Sequence, residues 1–331
     1  MYLDHAAATT LWPEVKTLIG ELLSQDLANP SSIHTSGRRA RGLIDQARQT
    51  CADIFQVDLD QVIFTSGATE AANLALHKKK VWVSPLAHAC MRQSVGESCS
   101  FEDAEILASE HGCSETGHVK DVQNLNKKSD QKIVLDIAAS VITEEINLKN
   151  SGAEALILSG EKFGGLAGSG LLIKAKDFEI TPLQGGTQEF GFRGGTENII
   201  GIVALAKALE LHTQHKAKLR AHFEKLHQYA RAELEKSGFK IISPEQNYLP
   251  HILHFLLPQS DSHTFVVQAD LAGVELSAGT ACSSGTTQPS GVLQALGFSD
   301  QEALRGVRMS FGRETSKAEV EKALQHIKAL Q

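Results

Sequence analysis

Two polar residues close successive apolar runs. Asp136 follows Ile133-Val134-Leu135, and Lys162 follows Leu156-Ile157-Leu158 in the stretch Leu158-Ser159-Gly160-Glu161-Lys162. An aspartate at the carboxyl end of a strand faces the crevice where open α/β sheets bind ligands, though many such aspartates are turn or cap residues. A lysine in a loop is ordinarily just solvated. The pair says more than either member. An acid and a lysine at the ends of successive strands, followed by Gly164-Gly165-Leu166-Ala167-Gly168-Ser169-Gly170, match the needs of pyridoxal phosphate (PLP). That cofactor requires an amine for a Schiff base and a carboxylate that keeps its pyridine nitrogen protonated, so that the ring can accept electrons.

The glycine run also invites a nucleotide-binding reading. It precedes a strand instead of opening a helix, and no Lys-Ser/Thr follows it, so a phosphate loop is disfavoured there. Ser66-Gly67-Ala68-Thr69 is the better phosphate cradle, because it joins a strand to a helix whose free N–H groups and dipole attract an anion. An ordinary cap by Ser66 or Thr69 would explain that segment alone equally well. Cys282 sits in Ser277-Ala278-Gly279-Thr280-Ala281-Cys282-Ser283-Ser284-Gly285, among small residues that suit a thiol that moves and reacts. The other cysteines, Cys51, Cys90, Cys99 and Cys113, read as small buried hydrophobes in the reduced state. None forms a C-x-x-C pair, so no metal site is expected.

The elements that must position these groups read as an α/β protein. The spacing of Ala40, Leu43, Ile44, Ala47 and Cys51 predicts a helix over 36–55. A strand at 62–64, the Ser66 turn and a helical run from Ala71 follow, and further short apolar strands are expected at 81–84, 132–135, 155–158 and 170–173. An amphipathic helix is predicted over about 216–236, stopped by Gly238, and a last helix near Ser316, where Ser316 and Glu319 predict a capping box. The 331 residues, 42% hydrophobic and 21% charged, suffice for a soluble globular chain of two domains. The expected partition is a large PLP-binding domain over 15–205, with 1–14 and 206–331 forming a smaller α/β C-terminal domain. A formal net charge of -7 argues against nucleic-acid binding through the overall field. No apolar run approaches the roughly 20 residues needed to cross a bilayer, and Met1-Tyr2-Leu3-Asp4 lacks a signal-peptide pattern, so no membrane partner and a cytoplasmic location are expected.

Taken together, these segments resemble the cysteine desulfurases, within the class V aminotransferase group of fold type I PLP enzymes. The resemblance rests on Tyr2-Leu3-Asp4-His5-Ala6-Ala7-Ala8-Thr9-Thr10, Asn29-Pro30-Ser31-Ser32-Ile33-His34, Phe64-Thr65-Ser66-Gly67-Ala68-Thr69-Glu70-Ala71 and Gly185-Gly186-Thr187-Gln188-Glu189. It continues through Arg193-Gly194-Gly195-Thr196-Glu197-Asn198, the Cys282 loop with Gln288-Pro289-Ser290, and Arg308-Met309-Ser310-Phe311-Gly312-Arg313. It implies a large domain with a mostly parallel sheet flanked by helices, and roles position by position. Lys162 matches the Schiff-base lysine, Asp136 the partner of the pyridine nitrogen, and His88 the histidine that stacks on the ring and shuttles protons. Ala68, Thr69 and Ser159 match phosphate ligands. Thr196 matches a phosphate contact across a dimer interface, which implies a homodimer. Arg308 matches the arginine that clamps the substrate carboxylate, and Cys282 the nucleophile that takes sulfur from L-cysteine as a persulfide. The persulfide would pass to a sulfur-acceptor protein such as an iron–sulfur scaffold or a thiolation enzyme.

The chain departs from the family pattern at three places in the cofactor shell, the first of them a pair of residues. Cys113-Ser114 replaces paired asparagines, Ala139 replaces a glutamine and Glu161 replaces a histidine; the stretch between His88 and Cys113 is also shortened. The first two changes remove amide donors, and Ala139 has no side-chain donor to offer. Glu161 places an acid where the family places a phosphate donor, and like charges there weaken binding. Two alternatives stay open beside an active desulfurase: another class V lyase or aminotransferase, for example a selenocysteine lyase, and a catalytically silent dimeric homologue that acts as a binding partner.

Overall fold

The computed structural model of the protein describes residues 1–279 and 288–331; Cys282 lies outside the described residues. The chain divides into two compact units. The larger comprises Thr10–His111 and Asp121–His215, and the smaller comprises Met1–Thr9, Gly112–Lys120 and Lys216–Gln331.

The larger unit is built on a seven-stranded sheet. Its strands are β1 (Val62–Thr65), β2 (Lys80–Val83), β3 (Glu97–Ser98), β4 (Ile106–Glu110), β5 (Lys132–Asp136), β6 (Ala155–Ser159) and β7 (Gly170–Lys174), in the order β1-β7-β6-β5-β4-β2-β3. The run from β6 through β3 is parallel, while β7 lies antiparallel to both β6 and β1. The link 160–169 between β6 and β7 holds only a short 3-10 turn, and a parallel return needs a crossover of roughly a dozen residues or more, so β7 must run back. Every residue of β1, β4, β6 and β7 is buried, as strands covered on both faces require. β4 escapes the sequence reading because its apolar run, Ile106-Leu107-Ala108, ends in Ser109 and Glu110, which are buried all the same.

Two helices of the larger unit matter for the site. Helix Ala68–Leu76 leaves β1 after the Ser66-Gly67 turn and buries Ala71, Leu74 and Ala75 in one core with Ile63, Ile157 and Leu172 of the sheet. Helix Thr35–Phe55 matches the expected span, buries Ala40, Ile44, Ala47, Cys51 and Phe55, and places Arg48 inside as well. The guanidinium of Arg48 grips Glu189 with two bonds, Nη1 to Oε2 at 2.8 Å and Nη2 to Oε1 at 2.6 Å, and also donates to the Val62 carbonyl. Glu189 Oε2 accepts the Phe64 N–H at 2.8 Å, and the rings of Phe64 and Phe190 lie 4.8 and 5.0 Å from the guanidinium carbon. Glu189 and Phe190 adopt φ of 47° and 58°, a left-handed conformation that non-glycine residues seldom hold.

A single helix, Ile199–Lys236, carries the chain from the larger unit into the smaller. It starts well before the 216–236 stretch that its amphipathic stripe predicts. The earlier turns bury Ile202, Leu205, Ala208, Leu209 and Leu211, with Ala204 and Ala206 between them, so no polar face marks the period. The smaller unit holds an antiparallel sheet of β8 (Lys240–Ile241), β9 (Ile252–Leu256) and β10 (Gly306–Ser310), in the order β10-β9-β8. The last helix, Lys317–Ala329, has the expected capping box between Ser316 and Glu319 and buries Val320, Ala323, Leu324 and Ile327.

The Arg48–Glu189 pair is buried, with side chains 5% and 1% exposed, so removing one partner strands the other charge. Glu189→Ala should lower unfolding free energy by about 3–5 kcal/mol. Chemical denaturation checks this, and a loss below ~1 kcal/mol would show that the pair does not hold β1 in place.

Candidate active site

The larger unit gathers most of the sequence-predicted residues at the carboxyl ends of β1, β5 and β6. Asp136 is the last residue of β5 and is buried; its Oδ1 accepts the Ala138 N–H at 2.9 Å. Burial pushes its carboxyl up, and the Ala138 N–H and the Lys162 ammonium work against that rise. A buried carboxylate under a lysine's influence is a ready partner for a second cation, such as a protonated ring nitrogen. Cys90 reaches the same group, its thiol 3.9 Å from Asp136 Oδ2. His88 caps the short helix Ala89–Gln93, and its Nδ1 accepts the Cys90 N–H at 3.2 Å. With Nδ1 accepting, the neutral ring carries its proton on Nε2. Thus Cys90 ties the His88 turn to Asp136.

Ser159 ends β6, and a tight 3-10 turn over Gly160–Lys162 follows. Gly160 N–H donates to the Ser169 carbonyl at 2.8 Å, and a Cβ on Gly160 would meet Ser169 Oγ at 2.4 Å, so the turn packs closely against the segment before β7 and glycine suits this position. This turn sets Glu161 back against its own strand. The Ser159 hydroxyl donates to Glu161 Oε2 at 2.5 Å, while Glu161 Oε1 stands 3.8 Å from Lys162 Nζ. Helix Ala68–Leu76 begins at Gly67 with no side-chain cap, leaving its first N–H groups without one. A Cβ on Gly67 would lie 3.4 Å from Ser159 Oγ, so the helix entry and the Ser159 hydroxyl are neighbours. Gly170 packs onto Gly67 so closely that a Cβ there would sit 2.4 Å from the Gly67 Cα. The donor set fits PLP: uncapped helix N–H groups and a hydroxyl for phosphate, a lysine amine, and a buried acid. Glu161 is the one member that does not fit a phosphate.

Ala68 is half-buried and Thr69 is exposed at this helix entry; Thr196 is exposed, beyond β7 and before the long helix. Ala139, in place of an amide donor, is half-buried two residues past Ile137.

In the smaller unit, Arg308 on β10 has a side chain only 5% exposed. Its Nη2 donates to Asp4 Oδ1 at 2.6 Å and its Nη1 to the Ser114 carbonyl at 2.8 Å, while Nε is buried without a partner among the described residues. The guanidinium is therefore already set to hold a carboxylate. Its cross-strand neighbour is His254, whose Nδ1 lies 3.0 Å from the Glu115 carbonyl. Glu115 in turn accepts the Ser290 hydroxyl at 2.5 Å. Neither Asp4, Cys90 nor Glu115 stands out from the sequence by residue chemistry, since each acts through a contact made by chain folding. Burial pushes the thiols of Cys51 and Cys113 up to about 12 and about 11.

The class-V aminotransferase family model matches residues 1–94 and 82–323. A cysteine desulfurase IscS of Dictyoglomus turgidum is 30% identical over 364 residues, which cover 97% of this chain and 91% of that protein. A putative cysteine desulfurase IscS 1 of Bacillus subtilis is 29% identical, covering 99% of this chain and 97% of its own. Among solved structures, a NifS-like protein from Rickettsia africae superposes with a TM-score of 0.90 at 25% identity, covering 100% of this chain and 99% of that one.

The smaller unit buries several uncharged histidines. Burial holds His254, His227 and His5 down to about 4. The unfolded chain takes up these protons near 6.5, so stability is full above that value and falls as pH drops from 6.5 toward 4. His227→Phe should shrink the stability lost between pH 7 and pH 5 by about 2 kcal/mol, measured by denaturant midpoints. An unchanged pH dependence would mean that His227 is not held neutral by the fold.

Proposed function

Since the chain belongs to the class-V aminotransferase family and groups there with the cysteine desulfurases, we propose that it is a PLP-dependent enzyme taking sulfur from L-cysteine. In the balanced reaction, the carbon–sulfur bond of cysteine breaks, a sulfur–sulfur bond forms on Cys282, and the carbon product takes a proton to become L-alanine. The observation that carries this reading is the convergence of Asp136, His88 and Lys162 through Cys90 and the Lys162 charge, at the strand ends of the larger unit.

When bound, PLP supplies an electron sink for the α-carbon of the substrate. Lys162 would anchor it covalently. Asp136 would keep the ring nitrogen protonated, as its burial favours a cationic partner. His88 would lie over the ring and move protons through Nε2. The helix entry at Ala68 and Thr69, with the Ser159 hydroxyl, would hold the phosphate. Arg308 would take the substrate carboxylate with its guanidinium, whose Nη2 already holds the carboxylate of Asp4. For Cys282 the support is the resemblance of its loop, together with the poor candidacy of Cys51 and Cys113, whose burial suppresses the thiolate that a nucleophile needs.

Thr196, exposed as a cross-subunit ligand should be in one protomer, supports a homodimer. A sulfur-acceptor protein, such as an iron–sulfur scaffold or a thiolation enzyme, would receive the persulfide. The reading places the enzyme in the cytoplasm; among the described residues no helix is long and apolar enough to cross a membrane. One observation favours a second reading, a silent homologue that has let the cofactor go: Glu161 engages the Ser159 hydroxyl.

Alanine and sulfide formation from L-cysteine, with added PLP and a thiol reductant, tests the proposal. Cys282→Ala should lower sulfide release by on the order of 100-fold or more, and Lys162→Ala should remove the visible cofactor band. Arg308→Ala should mainly raise KM for cysteine. Undiminished sulfide release by Cys282→Ala would sink the persulfide route, and a lack of any cofactor band at saturating PLP would favour the silent homologue.

A further inference from the structure

Glu161 is the polar group whose position the proposed chemistry leaves unused. It is fixed from two sides: the 3-10 turn over Gly160–Lys162 is closed by the Phe163 N–H donating to the Gly160 carbonyl at 3.3 Å, and the Ser159 hydroxyl holds Oε2 at 2.5 Å. Its other oxygen faces Lys162 Nζ at 3.8 Å. Ser159 is also the hydroxyl beside Gly67, where the uncapped helix Ala68–Leu76 offers its N–H groups. One carboxylate thus occupies a hydroxyl suited to a phosphate and sits next to the amine suited to the aldehyde end of the same cofactor. A carboxylate can only accept hydrogen bonds, so it cannot become a ligand of an arriving phosphate dianion. It must release Ser159, and it repels the newcomer by charge.

We propose that Glu161 is a built-in competitor for the phosphate end of the cofactor, setting the chain to bind PLP weakly and reversibly and to discriminate little between PLP and its unphosphorylated form, pyridoxal. This rests on the PLP reading above and adds what governs occupancy. Glu161 accepts from the Ser159 hydroxyl, and a bound phosphate would have to take that hydroxyl from it. The penalty falls on ligands that carry a negative charge at that end, and it spares those that do not. Glu161 is a specificity-determining residue here and has no part in the bond changes.

Titrating cofactor-free protein with PLP and, separately, with pyridoxal tests this, following the cofactor absorbance band and retention through a desalting column. Glu161→Gln removes the charge and adds an amide donor; Glu161→Ala removes the charge alone. Glu161→Gln should tighten PLP about tenfold or more, and Glu161→Ala by less, while pyridoxal affinity moves less than about threefold in both. The measurement does not depend on sulfur chemistry, so a chain that binds PLP without releasing sulfide still tests it. If PLP affinity is unchanged or weaker in both variants, Glu161 does not compete with phosphate. Equal tightening of pyridoxal and PLP would place its effect at Lys162 and also overturn the proposal. If the unaltered chain and both variants form no Lys162-dependent band with either ligand, the PLP reading itself fails, and this inference with it.

Discussion

The larger unit depends on the buried grip of Arg48 on Glu189. This contact joins three parts of the chain that are far apart in sequence: the helix Thr35–Phe55, the strand β1 and the segment after β7. A bidentate guanidinium–carboxylate pair has a fixed plane and tolerates little displacement. Glu189 also accepts the Phe64 N–H, so β1 is pinned through its backbone. The left-handed φ of Glu189 and Phe190 is a local cost that the pair and the two flanking rings offset. The site inherits this order directly, because β1 runs into the Ser66-Gly67 turn and the helix that follows. If β1 shifted, the helix entry would lose its place beside Ser159.

Much of the fold could be read from the sequence because its grammar is local. Short apolar runs ended by Asp136 and Ser159 identify β5 and β6, and a glycine turn after Phe64 identifies β1 and its helix. The direction of β7 could have been inferred from the length of the 160–169 link, which is too short for a crossover. β4 and the first half of helix Ile199–Lys236 escaped because burial there does not alternate with polar residues. The helix has no polar face early on, and the strand buries Ser109 and Glu110 as fully as its apolar members. Hydrophobic periodicity registers contrast between faces, and these elements have little.

The site was legible where chemistry is carried by residue type and obscure where it is carried by a contact. Asp136 and Lys162 stood out because an acid and an amine on successive strands make sense together. His88, Thr196 and Arg308 emerged only through resemblance to a family, since a loop histidine, a surface threonine and a strand arginine have no chemical signature of their own. Cys90 gave no signal of a role, and Asp4 entered only as part of a resembling motif, with no role attached. Cys90 matters because folding sets its thiol against Asp136 and its N–H on His88. Asp4 matters because it meets Arg308 across nearly the whole chain length.

The contrast between Asp136 and Glu161 shows why one lysine can stand near two acids of opposite consequence. Asp136 is buried and anchored by the Ala138 N–H, so its ionised form is costly unless a cation faces it. Glu161 has a side chain 25% exposed, so solvent shares its charge, and a hydroxyl takes one of its oxygens. The buried acid is therefore suited to a cationic partner, while the partly exposed Glu161 already accepts from Ser159 and has no donor to offer a phosphate. A ligand cationic at one end and anionic at the other meets favourable charge at Asp136 and opposed charge at Glu161. On the proposed reading, net affinity is a difference between these two opposed contributions, each scaled by the burial of its acid. Such a difference can be moved by changing one acid without disturbing the other, because Asp136 is held by the end of β5 and Glu161 by the turn after β6.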